Sequence, residues 1–358
     1  MTEFVGQWLT FSLDQLQHII RMMYWVWIPG FLLSALVSLR YRTQAREAVL
    51  AHGKGGFAGL FPRAVCSGVT ASPRPGSSLA DMLALLQGGV RPAGALAALV
   101  ASRNLPLYFL TILTLLLGIE FAVGHILGTV AMAASVFIGA AGFTKADAWT
   151  RAAGARGATV EALRPPRRDG ELPSWTGLLL RGRGWVRILR YCGTEFRWFW
   201  PGLAIGILLG GLVLAAGLKR WWVELAEVGG GGIISDLVNA GVGPALGALL
   251  SLPPVGNLPA AASLFKTDTL GYPGLVSLVL ASSLRPADLR AYGATWGRGA
   301  AARLALLLYA AALLGGLFAT GVLALFGVRP GHIPLFRELV DEIIKRVPFA
   351  MPAGPMRL

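Results

Sequence analysis

The stretch that decides the fold is 243–283, GPALGALLSLPPVGNLPAAASLFKTDTLGYPGLVSLVLASS. It is apolar enough for a membrane, but Pro253 and Pro254 have no backbone N–H, and Gly256 follows directly. A second interruption occurs at 266–268. Broken backbone at membrane depth is tolerated only where protein buries it or where it lines a cavity. In two-half membrane proteins, breaks in matching positions indicate a ligand site, so we expect a matching break elsewhere in the chain.

The composition is that of a protein with several membrane crossings. Of its 358 residues, 55% are hydrophobic and only 14% are charged, whereas soluble domains contain about 25% charged residues. The formal net charge is +14. The basic residues lie in loops between apolar runs, as in cytoplasmic loops of membrane proteins, and form no patch on a soluble unit. We therefore expect a lipid bilayer as the surroundings and no nucleic-acid partner.

The fold class that we predict is an all-α polytopic membrane protein with two inverted repeats and Pro/Gly-broken, re-entrant helical hairpins. Residues 144–195 contain ten Lys or Arg against five Asp or Glu, which favours a cytoplasmic connector between the repeats. The predicted divisions are an amphipathic N-terminal segment 1–21, membrane repeat 1 at 22–143, the basic connector 144–195, membrane repeat 2 at 196–327 and a C-terminal tail 328–358.

The first half contains short apolar segments instead of long, uninterrupted spans. Residues 55–78 are rich in Gly, Pro and Ser, and we expect no regular helix there. The segments 79–88 and 93–102 are each shorter than the roughly 20 residues that a crossing needs, so a helical hairpin is the economical interpretation. Residues 106–143 are continuously apolar except for two ionisable side chains, and we divide them near Gly118.

An internal repeat is indicated by matches at a nearly constant offset. Residues 95–102, ALAALVAS, align with 275–282, LVSLVLAS, at an offset of 180, and Gly118 aligns with Gly297 at 179. The charge pattern directs the first span of each half in opposite senses across the membrane. We therefore expect inverted repeats with a site at the midplane between them.

The residues around both breaks resemble the predicted permease family that includes the ArsP organoarsenical permeases. The first half has Cys66-Ser67-Gly68 after a Gly-rich run, and the second half has 252–259, LPPVGNLP. The chain departs from the family motif, P-x-C-S-C-G-like, at Ala64, where the motif has proline, and at Gly68, where it has a second cysteine. One thiol does not chelate as two do, so the resemblance implies a permease without naming its substrate.

The candidate binding residues come from the two broken segments. Thiols, amides and freed backbone groups suit a small solute, but each also has a structural interpretation as filler or local hydrogen-bonding group. Ionisable side chains within apolar runs are costly and favour a role in coupling, although Glu120 is also interpretable as interfacial. The predicted substrate-binding residues are Cys66, Ser67, Gly68, Pro253, Pro254, Gly256, Asn257 and Pro259; the coupling residues are Glu120 and His125; the gate residues, or else a solvated turn, are Lys266 and Asp268.

Three classes of function fit these features. The first is a secondary permease, an exporter of a small solute, in the cell membrane; the sequence allows a homo-oligomer and indicates no enzyme activity, cofactor or metal site. The second is a non-transporting membrane subunit or anchor for a partner. The third is a thiol-disulfide carrier, which would need Cys66 and Cys192 to form a reversible bond. No Walker A pattern occurs, so we expect no ATP hydrolysis by this chain.

Overall fold

The structure is a computed structural model, and it describes residues 2–71, 76–140, 175–216, 232–266 and 269–328. These residues are helical with connecting turns, which confirms the all-α prediction. The first half contains α1 (Thr2–Ala51), α2 (Phe57–Val69), α3 (Ser77–Gln87), α4 (Pro92–Asn104), α5 (Leu107–Leu117) and α6 (Ile119–Gly139). After a short helix α7 (Trp175–Leu179), the second half contains α8 (Gly182–Ala216), α9 (Ile233–Leu250), α10 (Asn257–Lys266), α11 (Tyr272–Leu280), a 3-10 turn (Ala281–Ser283), α12 (Pro286–Trp296) and α13 (Arg298–Leu325).

The helices are consistent with a polytopic membrane protein. Four of those described are long and apolar enough to cross a membrane: Ile119–Gly139, Gly182–Val213, Ile233–Leu250 and Arg298–Leu325. The pair α4 and α5, bent by 45°, makes a fifth when counted as one span. The bend falls at Leu105-Pro106, because the residue before a proline is disfavoured in helical geometry.

The prediction that 55–78 forms no regular helix was wrong for its first part. Helix α2 covers Phe57–Val69 with Pro62 inside it. Helix propensity is a weak guide where tertiary packing and internal satisfaction of the backbone decide, as in a membrane protein. Gly68 has a packing role, since a Cβ there would overlap the backbone carbonyl carbon of Ala101 on α4. The first-half interruption thus begins at Thr70, after the cysteine.

The break predicted at the prolines of the second half is confirmed. Helix α9 ends at Leu250, and Ser251 has a φ of 57°, the only positive φ of a non-glycine residue among those described. Residues 251–256 are not helical, and the N–H groups of Gly256 and Asn257 both donate to the carbonyl of Pro253. The chain then resumes as α10.

The two halves have the same order of helices from α4 and from α11 onwards. In each, a short helix ends near a proline, a helix of 11 residues follows, and a glycine precedes a long helix. The glycines are Gly118 and Gly297, with φ values of 110° and 84°, which a residue with a Cβ adopts only under strain. The division at Gly118 is confirmed, while a duplication with inverted orientation stays a prediction.

Two predicted boundaries fall inside continuous helices. Residues 1–21 and the span after them share α1, which contains Pro29, and the end of the connector at 195 lies within α8. Helices α1 and α8 pack against each other. The connector residues 144–174 and the tail from 329 lie outside the described residues.

A row of glycines on α8 packs against the broken segment of the second half. A Cβ on Gly202 would lie 2.7 Å from Pro253, one on Gly206 would meet the carbonyl oxygen of Gly256, and one on Gly210 would lie 3.0 Å from the carbonyl oxygen of Pro259. Their spacing of four residues places the three glycines on one helix face. Small residues allow this close approach between helices in a membrane.

A second tight contact joins the two halves at Gly124 on α6. A Cβ on Gly124 would coincide with the hydroxyl of Tyr272, whose ring also packs against Phe121 at 5.1 Å. We expect Gly124→Ala to lower the midpoint of thermal unfolding, because overpacking costs about 1–3 kcal/mol. The double variant Gly124→Ala/Tyr272→Phe should recover part of this loss, since it removes the clashing oxygen but leaves a ring carbon 3.0 Å away. Strictly additive effects would contradict the contact.

Candidate functional site

The predicted first-half residues lie on α2, not in a loop. Cys66 is exposed and its thiol is free. Ser67 donates its hydroxyl to the carbonyl of Ala64 at 2.7 Å. Gly68 is buried against α4. The geometry thus gives Ser67 and Gly68 local structural partners and leaves Cys66 available on the helix surface.

The predicted second-half residues form the break itself. Pro253, Gly256 and Pro259 pack against the glycine row of α8, and Pro254 lies in the turn between them. Asn257 is different. It is fully buried, and neither its Oδ1 nor its Nδ2 has a hydrogen-bond partner among the described residues. A buried amide without hydrogen-bond partners costs stability. Such groups are rare in native proteins, so this one calls for an explanation, such as a bound ligand.

The two predicted segments have different main neighbours. Helix α2 packs against α4, α1 and α6, whereas α10, which begins at Asn257, packs against α8, α11 and α5. A shared chamber of 64–69 and 253–259 stays a prediction.

The halves are joined instead by polar contacts at the ends of α4 and of the 3-10 turn after α11. We call this group the central polar cluster. It comprises Arg103, Asn104, His125, Ser282, Arg285 and Asp288. The cluster lies at the two proline interruptions, Pro106 and Pro286. These are therefore the matching breaks that meet in the structure.

A buried carboxylate bridges two arginines in this cluster. Arg103 donates from Nη1 and Nη2 to the two oxygens of Asp288 at 2.8 and 2.6 Å, and Arg285 Nε donates to Asp288 Oδ2 at 2.7 Å. Arg103 Nη1 also donates to the carbonyl of Ser282 at 3.3 Å. The guanidinium of the first half therefore caps the end of the broken helix of the second half, where the carbonyl end of a helix favours a cation.

Asn104 links the other members. Its Nδ2 donates to the carbonyl of Val100 at 3.0 Å, and its Oδ1 accepts from the hydroxyl of Ser282 at 3.3 Å. Its carbonyl accepts from His125 Nε2 at 3.0 Å, so Nε2 must carry the proton, because a carbonyl only accepts. His125 Nδ1 has no partner within the described part of the chain. The structure thus places this predicted coupling residue beside both halves.

Glu120 lies apart from His125 on α6. It is buried in the first turn, its carboxylate lies next to Gly118, and its carbonyl accepts from the Tyr272 hydroxyl at 3.4 Å. A carboxylate near a helix N-terminus is favourably placed. Of the predicted gate, Lys266 is the last residue of α10 and Asp268 lies outside the described residues. Among those described, no three His, Cys, Asp or Glu side chains are grouped for a metal.

Sequence reasoning missed most of the central polar cluster. The signal was present: the alignment at offset 180 continues past Ser102 and Ser282 as SRNLP and SSLRP, ending in Pro106 and Pro286. A second missed residue is Glu195, assigned to the connector. It is buried on α8, where its Oε1 accepts from the Ser34 hydroxyl of α1 at 2.9 Å.

Comparison with known proteins agrees with the resemblance found in the sequence. No curated protein and no solved structure matches the chain. The model of a permease family matches residues 12–321, which includes every helix from α2 to α12 and the whole central polar cluster. A match over this share of the chain establishes the family, and the chain therefore belongs to the predicted permease family ArsP_1.

Proposed function

We propose that this permease is a secondary transporter that exports a small solute through the central polar cluster, with its two halves alternating around that point. The observation that carries the proposal is the buried Arg103–Asp288 ion pair, which joins the halves where both have a proline-broken helix. Buried charges within membrane segments are costly and usually functional. Broken helices in corresponding positions are where transporters bind their solutes.

Coupling and direction are further parts of the proposal. His125 Nδ1 can accept a proton beside the contact between the halves, and Glu120 provides a buried carboxylate at the start of the same helix. The positive-inside rule puts the connector on the cytoplasmic side of a cell membrane. We propose that protons drive export through one or both residues, with no enzymatic step.

The test is transport by the purified full-length chain in proteoliposomes. The vesicles would be loaded with a defined mixture of amino acids, organic acids, inorganic anions and trivalent arsenicals, and the retained contents measured by mass spectrometry. We expect selective loss of one solute class, accelerated by a proton gradient and diminished in a His125→Gln variant. Contents indistinguishable from protein-free vesicles, with and without the gradient, would contradict transport and favour the non-transporting subunit.

Asn257 gives a prediction that separates binding from folding. We expect Asn257→Leu to leave the midpoint of thermal unfolding unchanged or higher, because the amide it replaces has no partner among the described residues. If the amide binds solute, flux should fall about tenfold or more.

A second buried asparagine is the matched control. Asn239 donates to the carbonyl of Ser235 at 2.9 Å and accepts from the N–H of Gly271 at 2.8 Å. Asn239→Leu should therefore lower stability. If Asn257→Leu were as destabilising as Asn239→Leu, the Asn257 amide would be structural, and the prediction that it binds solute would be withdrawn.

A further inference from the structure

Three buried donors, all on the ion pair or on the segments that carry it, have no acceptor among the described residues. They are Arg103 Nε, the Tyr292 hydroxyl and the Ser283 hydroxyl. Tyr292 follows Asp288 by four residues on α12, so the two side chains share a helix face, and the hydroxyl interacts electrostatically with both arginines. Ser283 is adjacent to Ser282, whose carbonyl Arg103 caps. A buried donor without an acceptor costs about 1–3 kcal/mol, and three together indicate a missing acceptor.

The local net charge is positive, so it favours an anion, as the unpaired donors do. Arg103 and Arg285 share the single carboxylate of Asp288, and Asp288 is the only acidic residue in 269–328. The dipoles of the neighbouring helices do not compensate this positive charge. Helix α4 and the 3-10 turn end here while α5 and α12 begin here, so two negative and two positive dipole ends oppose each other. One net positive charge is left, shared by the buried Arg103 and the partly exposed Arg285.

The approach to the cluster is also basic. Arg290, Arg298 and Arg303 are exposed on α12 and the start of α13. Helix α12 packs mainly on α13, and Pro286 and Ala287 at its start are exposed, next to the partly exposed Arg285. A basic rim that leads to a buried cation concentrates anions locally.

We infer that the central polar cluster binds a small oxyanion or carboxylate between Arg103, Arg285, Tyr292 and Ser283; that this anion is the transported solute rests on the proposed function. Arg103 Nε and the two hydroxyls donate to it, and its charge compensates the second guanidinium. Charge-assisted hydrogen bonds of this kind are about twice as strong as neutral ones. A lipid headgroup offers similar chemistry, but the burial of Arg103 and Tyr292 favours a small soluble anion.

The test is the thermal unfolding of the full-length chain in neutral detergent. Potassium phosphate, sulfate and acetate are compared with potassium chloride at equal ionic strength. We expect at least one of the three to raise the midpoint by at least about 2 °C over chloride. Tyr292→Phe and Ser283→Ala, which leave the ion pair intact, should each lower this shift by about half or more. Ser102→Ala is the matched control, because its hydroxyl already donates to Leu99 at 2.9 Å, and its shift should equal that of the wild type.

Three outcomes would overturn the inference. They are a midpoint no higher in any of the three salts than in chloride, unchanged shifts in both Tyr292→Phe and Ser283→Ala, or, in a parallel measurement with added phosphatidylglycerol, stabilisation by this lipid and by none of the three anions. Its failure differs from failure of the proposed function. Flux of an uncharged solute without anion-dependent stabilisation would exclude the anion site, but the proposal that the protein is a transporter would stand. Anion-dependent stabilisation that the variants lose, without flux of any solute, would support the anion site and exclude transport.

Discussion

Asp288→Asn is expected to destabilise the protein by about 3–5 kcal/mol, because it leaves the buried guanidinium of Arg103 without its carboxylate partner and also removes the partner of the partly exposed Arg285. The side chains of Arg103 and Asp288 are only 6% and 9% exposed, so water cannot replace the lost partner. Since this pair joins the halves, we also expect solute flux to be abolished. Denaturant unfolding in detergent and the proteoliposome assay measure the two effects.

Asp81→Asn is the control for this variant. It removes a single ion pair, 3.1 Å to Arg42, whose side chains are 30% and 36% exposed. Solvent screening limits the expected loss to about 0–1 kcal/mol. Equal losses for Asp81→Asn and Asp288→Asn would contradict the importance of burial.

A double variant separates stability from function. Replacing a buried pair with apolar side chains is often neutral, and the partly exposed Arg285 keeps access to water. Arg103→Met/Asp288→Leu should therefore recover most of the stability that Asp288→Asn loses. Flux should not return, because the charges themselves are removed. Recovery of both stability and flux would show that the pair only holds the structure together.

Gly206→Ala is expected to give the second large effect. The new Cβ would meet the carbonyl oxygen of Gly256 and lie 3.0 Å from its Cα, and backbone atoms cannot turn aside as a side chain can. Overpacking typically costs about 1–3 kcal/mol. We expect a cost near the upper end of this range, because the Cβ attached to one backbone meets the backbone of another segment. We also expect flux to fall, since the displaced segment carries Asn257. Unfolding in denaturant gives the first quantity and proteoliposome flux the second.

Gly193→Ala, also on α8, should raise the stability of the protein instead of lowering it. A Cβ there has no atom within 4 Å, so only the helix propensity changes, which favours alanine by about 1 kcal/mol. The pair therefore compares one chemical change at two places on one helix. A loss of stability at Gly193, or none at Gly206, would contradict the close packing of α8 on the broken segment.

The sequence predicted the helical segments well where a strong local signal marks their ends. The helices after Ser77 and Pro92, the division at Gly118 and the interruption at Pro253 occur as expected, because proline and glycine act within a residue or two of their own position. The prediction for 55–78 was wrong for the same local reason. Its glycines and Pro62 indicate a loop, but packing of Gly68 on α4 makes a helix the better structure.

Only part of the candidate site was named from the sequence. His125 and Asn257 were named because a polar side chain in an apolar run is conspicuous, and their roles stay predictions. Arg103 and Asp288 were not, since each stands at the end of a short helix beside a proline, where a charge is ordinarily solvent-exposed. Nothing in the sequence around either residue indicates that the two, 185 residues apart in the chain, form an ion pair.

By itself, the sequence determined the class of the molecule: a basic, helical membrane protein with interrupted apolar segments in both halves and a resemblance to a permease family. Hydropathy, charge and helix-breaking residues decide these properties, and all of them act locally along the chain. Only the tertiary structure decided which interruptions meet. It joins Arg103 to Asp288 and buries Asn257 without a partner among the described residues, because the contact between halves depends on how helices far apart in sequence pack against one another.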